Sequence, residues 1–149
     1  MKKLLNRTRN KSSMKYKYLE HTADAKFRAF GKDVDEVFVN SALAMFNILG
    51  ETDKVKVTKT KKIKIKARNY ERLLYEFLEE LLFLLYTEDF FLSKVKEVKI
   101  SEDFSLKATV VGDNYKNYDL KGDIKAVTYS DMKIEKTKKG YEATVVVDI

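Results

Sequence analysis

The chain has no cysteine, proline, tryptophan or glutamine, and it has only one histidine. Without cysteine, disulfide bonds, thiolate zinc sites and cysteine nucleophiles are excluded, and nothing indicates an oxidising compartment. A single histidine excludes a metal site built from several imidazoles. These absences fit a cytoplasmic protein.

Long apolar runs and several enzyme signatures are absent as well. The longest apolar run in the body of the chain, Leu81 to Tyr86, is too short to cross a bilayer, and the N-terminal segment lacks the apolar stretch of a signal peptide. We therefore expect no membrane association. The chain has neither a Gly-Lys-Ser/Thr phosphate loop nor a Gly-x-Ser-x-Gly elbow, which disfavours an autonomous nucleotide-hydrolysing enzyme.

The positive charge is concentrated at the N-terminus. Of the net charge of +7, five units lie in residues 1–13, which contain no acidic residue, so +2 remains for the rest. This segment is either an electrostatic arm for RNA or a dispensable extension, with Met14 as an alternative start. We expect residues 1–13 to form a disordered basic tail and residues 14–149 to form one folded domain.

Two helices are predicted from apolar spacing and capping residues. Asp33 begins a capping pattern for a helix over Val34 to Leu49, and Gly50 follows as the C-cap. Asn69 caps a second helix over Tyr70 to Thr87, whose leucines recur at helical spacing and should be core.

The remaining segments alternate as strands do. Two short strands flank His21-Thr22-Ala23-Asp24, and Gly140 predicts a final hairpin that would hold Asp148 in a rigid strand. The other predicted strands are Lys54 to Ala67, Val95 to Ile100, Ser105 to Val111, Ile124 to Glu135 and Tyr141 to Ile149. The order predicts an α+β fold: a single domain with a largely antiparallel or mixed sheet and two main helices packed on it.

Two sets of charged residues have simple structural interpretations. A lysine face on the strand near residue 63 fits a solvated sheet edge better than an RNA contact, because edge lysines suppress unwanted strand pairing. Acidic residues on the second helix fit its solvent face better than a catalytic carboxylate pair. The lysines are Lys62, Lys64 and Lys66, and the acids are Glu71, Glu76, Glu79 and Glu80.

Acidic residues also stand near both ends of the folded domain. Asp148 lies one residue before the final Ile149, so its carboxylate adds to the C-terminal carboxylate, and a fold that brings Asp24 to them would make a hard-cation site. His21 is either a hydrogen-bonded structural group or an acid–base group. Lys125 shares a strand face with Val127 and Tyr129. It is either partly desolvated, and then paired with a carboxylate or functional, or an ordinary surface lysine.

Three motifs in order resemble the archease family. They are His21-Thr22-Ala23-Asp24 with the following Gly31, the run Asp123-Ile124-Lys125-Ala126-Val127-Thr128-Tyr129-Ser130, and Val147-Asp148-Ile149. The resemblance covers Met14 to Ile149. It implies a small α+β protein that activates the tRNA-splicing RNA ligase by promoting its guanylylation with GTP, its multiple turnover and a broader nucleotide use. GTP acts through the ligase, and the helper has no catalytic residues or chemistry of its own.

The same resemblance implies the site residues. A divalent cation, calcium with magnesium or manganese as alternatives, would lie between Asp24, Asp148 and Ile149, and Lys125 would take part in activation. The chain departs from the family pattern at Ser130, where histidine is frequent, and at residues 120–122, where Arg-His is frequent. These departures bear on proton transfer and leave the metal site intact.

Two other function classes stay open on the residues alone. The basic tail and the lysine face are also compatible with an RNA-binding or chaperone-like adaptor in tRNA processing, with weak RNA contact through the tail. The other class is a metal-dependent hydrolase, for which the chain offers only one or two carboxylate ligands and the C-terminus.

Overall fold

The protein was analysed as a computed structural model, which describes residues 14–20 and 24–149. Within these residues, seven strands and two long helices follow one another, with two short turns of 3₁₀ helix at Thr52–Lys54 and Tyr115–Asn117. The elements are β1 (Tyr16–Leu19), β2 (Ala25–Gly31), α1 (Val34–Leu49), β3 (Lys59–Lys66), α2 (Tyr70–Glu88), β4 (Phe90–Ile100), β5 (Ser105–Asn114), β6 (Ala126–Thr137) and β7 (Gly140–Asp148). Within this described part, no helix is long and apolar enough to span a membrane.

The strands form two antiparallel sheets. The first has the order β1-β2-β7-β6 and the second the order β3-β5-β4. Both helices contact strands of both sheets, and the buried side chains form one core. The predicted α+β fold with two packed helices is therefore confirmed. The strands are divided between two sheets because each helix buries apolar surface against both of them.

Helix α1 has the predicted bounds and caps. The Asp33 side chain accepts a hydrogen bond from the Glu36 backbone N–H at 2.8 Å, and the Glu36 side chain accepts one from the Lys32 N–H at 3.0 Å. This reciprocal arrangement satisfies amide donors at the helix start. At the other end the Gly50 N–H bonds to the Phe46 carbonyl.

Helix α2 ends one residue later than predicted, and its leucines are core. The side chain of Asn69 caps its first turn, while Asp89, with φ of 57°, ends it. The interpretation of its acids as a plain solvent face is wrong for two of them. Glu71 and Glu79 are half-buried and accept hydrogen bonds from the β6 backbone, which they reach because α2 packs along this edge strand.

The final hairpin forms at Gly140, as predicted. Its φ is 142°, and a Cβ at this position would lie 2.3 Å from the Gly31 carbonyl oxygen, so no other residue fits without a shift of the backbone. The hairpin places β7 between β2 and β6. Asp148 is consequently the last residue of a central strand, as the sequence predicted.

The lysine face lies on β3, which is an edge strand of the second sheet. Lys62, Lys64 and Lys66 are exposed, whereas Ile63 between them is buried. This confirms the prediction of a lysine-guarded edge.

Candidate functional site

Strand register brings the two predicted acidic sites together. Strands β2 and β7 are antiparallel, and Ala25 pairs with Val147. The next step of the same register places Asp24 beside Asp148. Asp24 is half-buried and Asp148 is exposed, so both carboxylates belong to one end of the first sheet.

Lys125 reaches the same end from the other side of β7. Ala126 pairs with Asp148, and the Lys125 N–H donates to the Asp148 carbonyl at 2.7 Å. The side chain of Lys125 is exposed, so the interpretation of a partly desolvated lysine is wrong and that of a surface lysine holds. Lys125 directly precedes Ala126, the first residue of β6, and so lies at the end of the sheet.

Helix α2 fixes the backbone on both sides of Lys125. The Tyr86 hydroxyl oxygen accepts the Ile124 N–H at 3.1 Å, and its proton lies within reach of Asp123 Oδ1 at 2.6 Å and the Ile124 carbonyl at 2.7 Å. About two helical turns earlier, Glu79 Oε2 accepts the Val127 N–H at 2.9 Å. The two side chains therefore bracket the lysine and set its backbone position.

The chemistry of Tyr86 suits this anchoring role. Burial, together with the hydrogen bond to Asp123, raises the pKa of Tyr86 to about 12. The hydroxyl is therefore protonated at neutral pH and able to donate. Sequence analysis did not single out Tyr86 and placed Glu79 on the solvent face. The signal available for both was their spacing of seven, which puts them on one face of a helix.

Tyr129, in the second motif, has a packing role. Its ring lies 5.4 Å from the Tyr75 ring, edge to face, and the Arg72 guanidinium lies 5.1 Å from its centre. The β6–β7 register shifts between Thr128 and Lys133, so Tyr129 lies in an irregular stretch of an edge strand. The aromatic and cation–π contacts tie this stretch to α2.

The candidate metal ligands at the sheet end are all oxygen atoms. Asp24 and Asp148 supply two carboxylates, and the Ile149 main chain supplies further oxygen, which is the donor type that hard divalent cations prefer. Among residues 14–20 and 24–149, no three histidine, cysteine or acidic side chains are grouped to hold a metal. A cation here would therefore depend on both aspartates together with main-chain oxygen.

The sheet end is an exposed tip. A cavity of about 600 Å³, lined in part by Gly31, Lys32 and Thr137, lies at the opposite end of the same sheet. The arrangement at the tip is therefore suited to contact with a large partner more than to enclosure of a small molecule.

Two sequence-based hypotheses lie outside the described residues. His21, with the adjoining Thr22 and Ala23, precedes Asp24, and the basic segment 1–13 precedes Met14. The hypotheses about the role of His21 and about RNA contact through the tail stay predictions.

Comparison with known proteins supplies the family. Residues 16–149 match the model of the "Archease protein family (MTH1598/TM1083)". The chain belongs to the archease family. Protein archease of Methanosarcina mazei is 43% identical over 140 residues, covering 91% of this chain and 96% of the relative. Protein archease of Archaeoglobus fulgidus is 37% identical over 138 residues, covering 91% of this chain and the whole relative.

Solved structures agree with the fold. The solution structure of Methanobacterium thermoautotrophicum protein 1598 has a TM-score of 0.78 and 34% identity, covering 91% of this chain and 99% of that one. A Thermotoga maritima protein described as "an archease, possible chaperone" has a TM-score of 0.59 and 23% identity, covering 88% and 94% of the two chains. The second likeness concerns the fold alone. The predicted family and fold are thereby confirmed.

Proposed function

We propose that the protein activates a tRNA-splicing RNA ligase, promoting its guanylylation by GTP, its repeated turnover and a broader nucleotide use. The observation that supports this most is the β2–β7 register, which sets Asp24 beside Asp148 at an exposed tip bordered by Lys125. Archease membership supports the same partner. On this proposal the protein is a helper that lacks catalysis of its own and works in the cytoplasm.

Asp24, Asp148 and the main-chain oxygen atoms of Ile149 would hold a divalent cation. Calcium is our first choice, and magnesium and manganese suit the same oxygen donors. When bound, the cation would supply positive charge where this tip meets the nucleotide site of the ligase. The exposed Lys125 ammonium would neutralise phosphate charge that develops during nucleotidyl transfer.

The test of activation is multiple-turnover RNA ligation at substoichiometric ligase, with GTP, in the presence and absence of the protein. We expect stimulation by the wild-type protein and its loss with Asp24→Asn or Asp148→Asn. Asp53→Asn is the matched control, because Asp53 is an exposed aspartate in the 3₁₀ turn after α1. Full stimulation by the Asp148 variant would contradict the proposal.

Metal binding needs a readout separate from ligation. Titration calorimetry with calcium, magnesium and manganese should show one site in the wild-type protein and a large loss of affinity in the Asp148 variant. Equal metal affinity in the two proteins would show that the cation does not bind at Asp148.

The role of Lys125 is tested by Lys125→Met. We expect guanylylation of the ligase to fall while the two proteins still bind each other, because the change removes charge and leaves the stem of the side chain. Unchanged guanylylation would show that Lys125 takes no part in activation. If the wild-type protein stimulates nothing, the RNA-binding adaptor becomes the leading hypothesis.

A further inference from the structure

Large apolar side chains are exposed around the tip. Phe83 is 55% exposed, Tyr86 51% and Ile149 50%. Within the described part of the chain, Val57 is the other large hydrophobic side chain exposed to this degree, and it lies in the loop before β3. Exposed aromatic surface grouped in one place is typical of a binding site, whereas single exposed residues are ordinary.

Helix geometry places Phe83 beside the tip. Glu79, Phe83 and Tyr86 follow one another at helical spacing and share one face of α2. Glu79 bonds to Val127 and Tyr86 bonds to Ile124, so Phe83 lies on the helix between two anchors that bracket the segment holding Lys125.

The same segment links this helix face to the acidic end of the sheet. The Lys125 N–H bonds to the Asp148 carbonyl, and Ile149 follows Asp148 directly. Phe83 and Tyr86 therefore border the Lys125 segment on one side, and Ile149 lies on the other. Polar and charged groups stand among apolar ones, as in a protein interface with an aromatic anchor.

We infer that Phe83, with Tyr86 and Ile149 beside it, is the apolar anchor of the surface on which the ligase docks. The inference rests on the proposed function. The exposed surface of Phe83 is continuous with the tip, so a partner whose nucleotide site meets Lys125 and the two aspartates also covers Phe83. The complementary feature on the partner is an apolar cleft that borders its nucleotide site. Tyr86 is already held by hydrogen bonds to Asp123 and Ile124, which reduces the entropy that docking must overcome.

The test compares Phe83→Glu with Val57→Glu. Both wild-type side chains are 55% exposed, so both variants should fold, which circular dichroism checks. In calorimetric titration of the ligase, we expect Phe83→Glu to weaken binding by about ten-fold or more, the scale of an aromatic interface anchor, while Val57→Glu stays within about two-fold of wild type. Equal affinities for the two variants would overturn the inference.

A ligation titration separates this inference from the proposed function. We expect Phe83→Glu to raise the concentration that gives half-maximal stimulation and to leave the maximum unchanged, whereas Asp148→Asn lowers the maximum. If the wild-type protein stimulates ligation and Phe83→Glu gives the same half-maximal concentration, the docking surface is refuted and the proposed function is not. Binding that depends on Phe83, without any stimulation, would uphold the docking surface and refute activation.

A second copy of this chain is the competing occupant. Sedimentation equilibrium of the wild-type protein and of Phe83→Glu tests it. A monomer in both cases supports the ligase as occupant, and a wild-type dimer that the variant dissociates would overturn the inference.

Discussion

Removal of the Tyr86 hydroxyl should destabilise the protein measurably, although about half of this residue is exposed to solvent. In Tyr86→Phe the Ile124 N–H loses its acceptor, and the Ile124 carbonyl and Asp123 lose a donor. Ile124 is fully buried, while Tyr86 is 51% exposed, so water replaces only part of what is lost. A net hydrogen bond contributes about 1 kcal/mol, and an amide left unpaired adds to that, so we expect a loss of roughly 1–2 kcal/mol.

Urea unfolding at neutral pH measures this loss, and Tyr75→Phe is the matched control. Tyr75 lies on the same helix, and its hydroxyl makes no hydrogen bond within the described residues, although its ring contacts Tyr129. We expect the control to change the free energy of unfolding by less than about 0.5 kcal/mol. Equal losses in the two variants would refute the anchoring role of the Tyr86 hydroxyl.

The pH dependence of the same loss has a defined sign. The folded-state pKa of Tyr86 is raised to about 12 from an ordinary value of 10.0, because burial disfavours the charged form. The stabilisation is therefore fully present below pH 10 and is lost as the pH rises from about 10 to about 12. The difference between wild type and Tyr86→Phe should shrink across that range, and a difference that stays constant there would contradict the assignment.

Three further predictions concern other parts of the molecule. Glu79→Ala should destabilise the protein by about 1–2 kcal/mol through the unpaired Val127 N–H, and Glu79→Gln, which keeps an acceptor, should recover most of this in urea unfolding. Asp113 accepts hydrogen bonds from Thr58 and Tyr118 that lower its pKa, so its stabilisation should be lost as the pH falls below about 4. Asp113→Asn should flatten the acid limb of the stability profile, and an unchanged limb would refute this. Gly140→Ala should cost about 2–4 kcal/mol by collision with the Gly31 carbonyl, whereas Gly122→Ala, at a similar φ but in open space, should cost about 1 kcal/mol, as thermal unfolding would show.

Local signals predicted the helices well. The bounds of α1 and the caps at Asp33 and Asn69 agree with the structure, because a cap is a contact between residues three apart and is therefore written in adjacent sequence. The turn at Gly140 was predictable for the same reason. The lysine face of β3 followed from period-two alternation.

Contacts between distant segments were not predictable from these local signals. The division of the strands into two sheets depends on how two helices share their apolar surfaces with strands from both halves of the chain. The exposure of Lys125 depends on where the sheet ends, and alternation alone left both a partly desolvated and an exposed lysine open. The hydrogen bonds between Tyr86 and Ile124 and between Glu79 and Val127 join residues 38 and 48 positions apart. The spacing of residues on one helix does not indicate such distant partners.

The sequence by itself determined the elements, the caps and the oxygen chemistry of the acidic groups, because each depends on residue type and near neighbours. Only the tertiary structure decided that Asp24 stands beside Asp148, since that follows from the register of two strands at opposite ends of the chain. It also decided that Lys125 and Tyr86 border this tip, because α2 packs along the edge strand that leads to it. Composition supplied the groups, and packing brought them together.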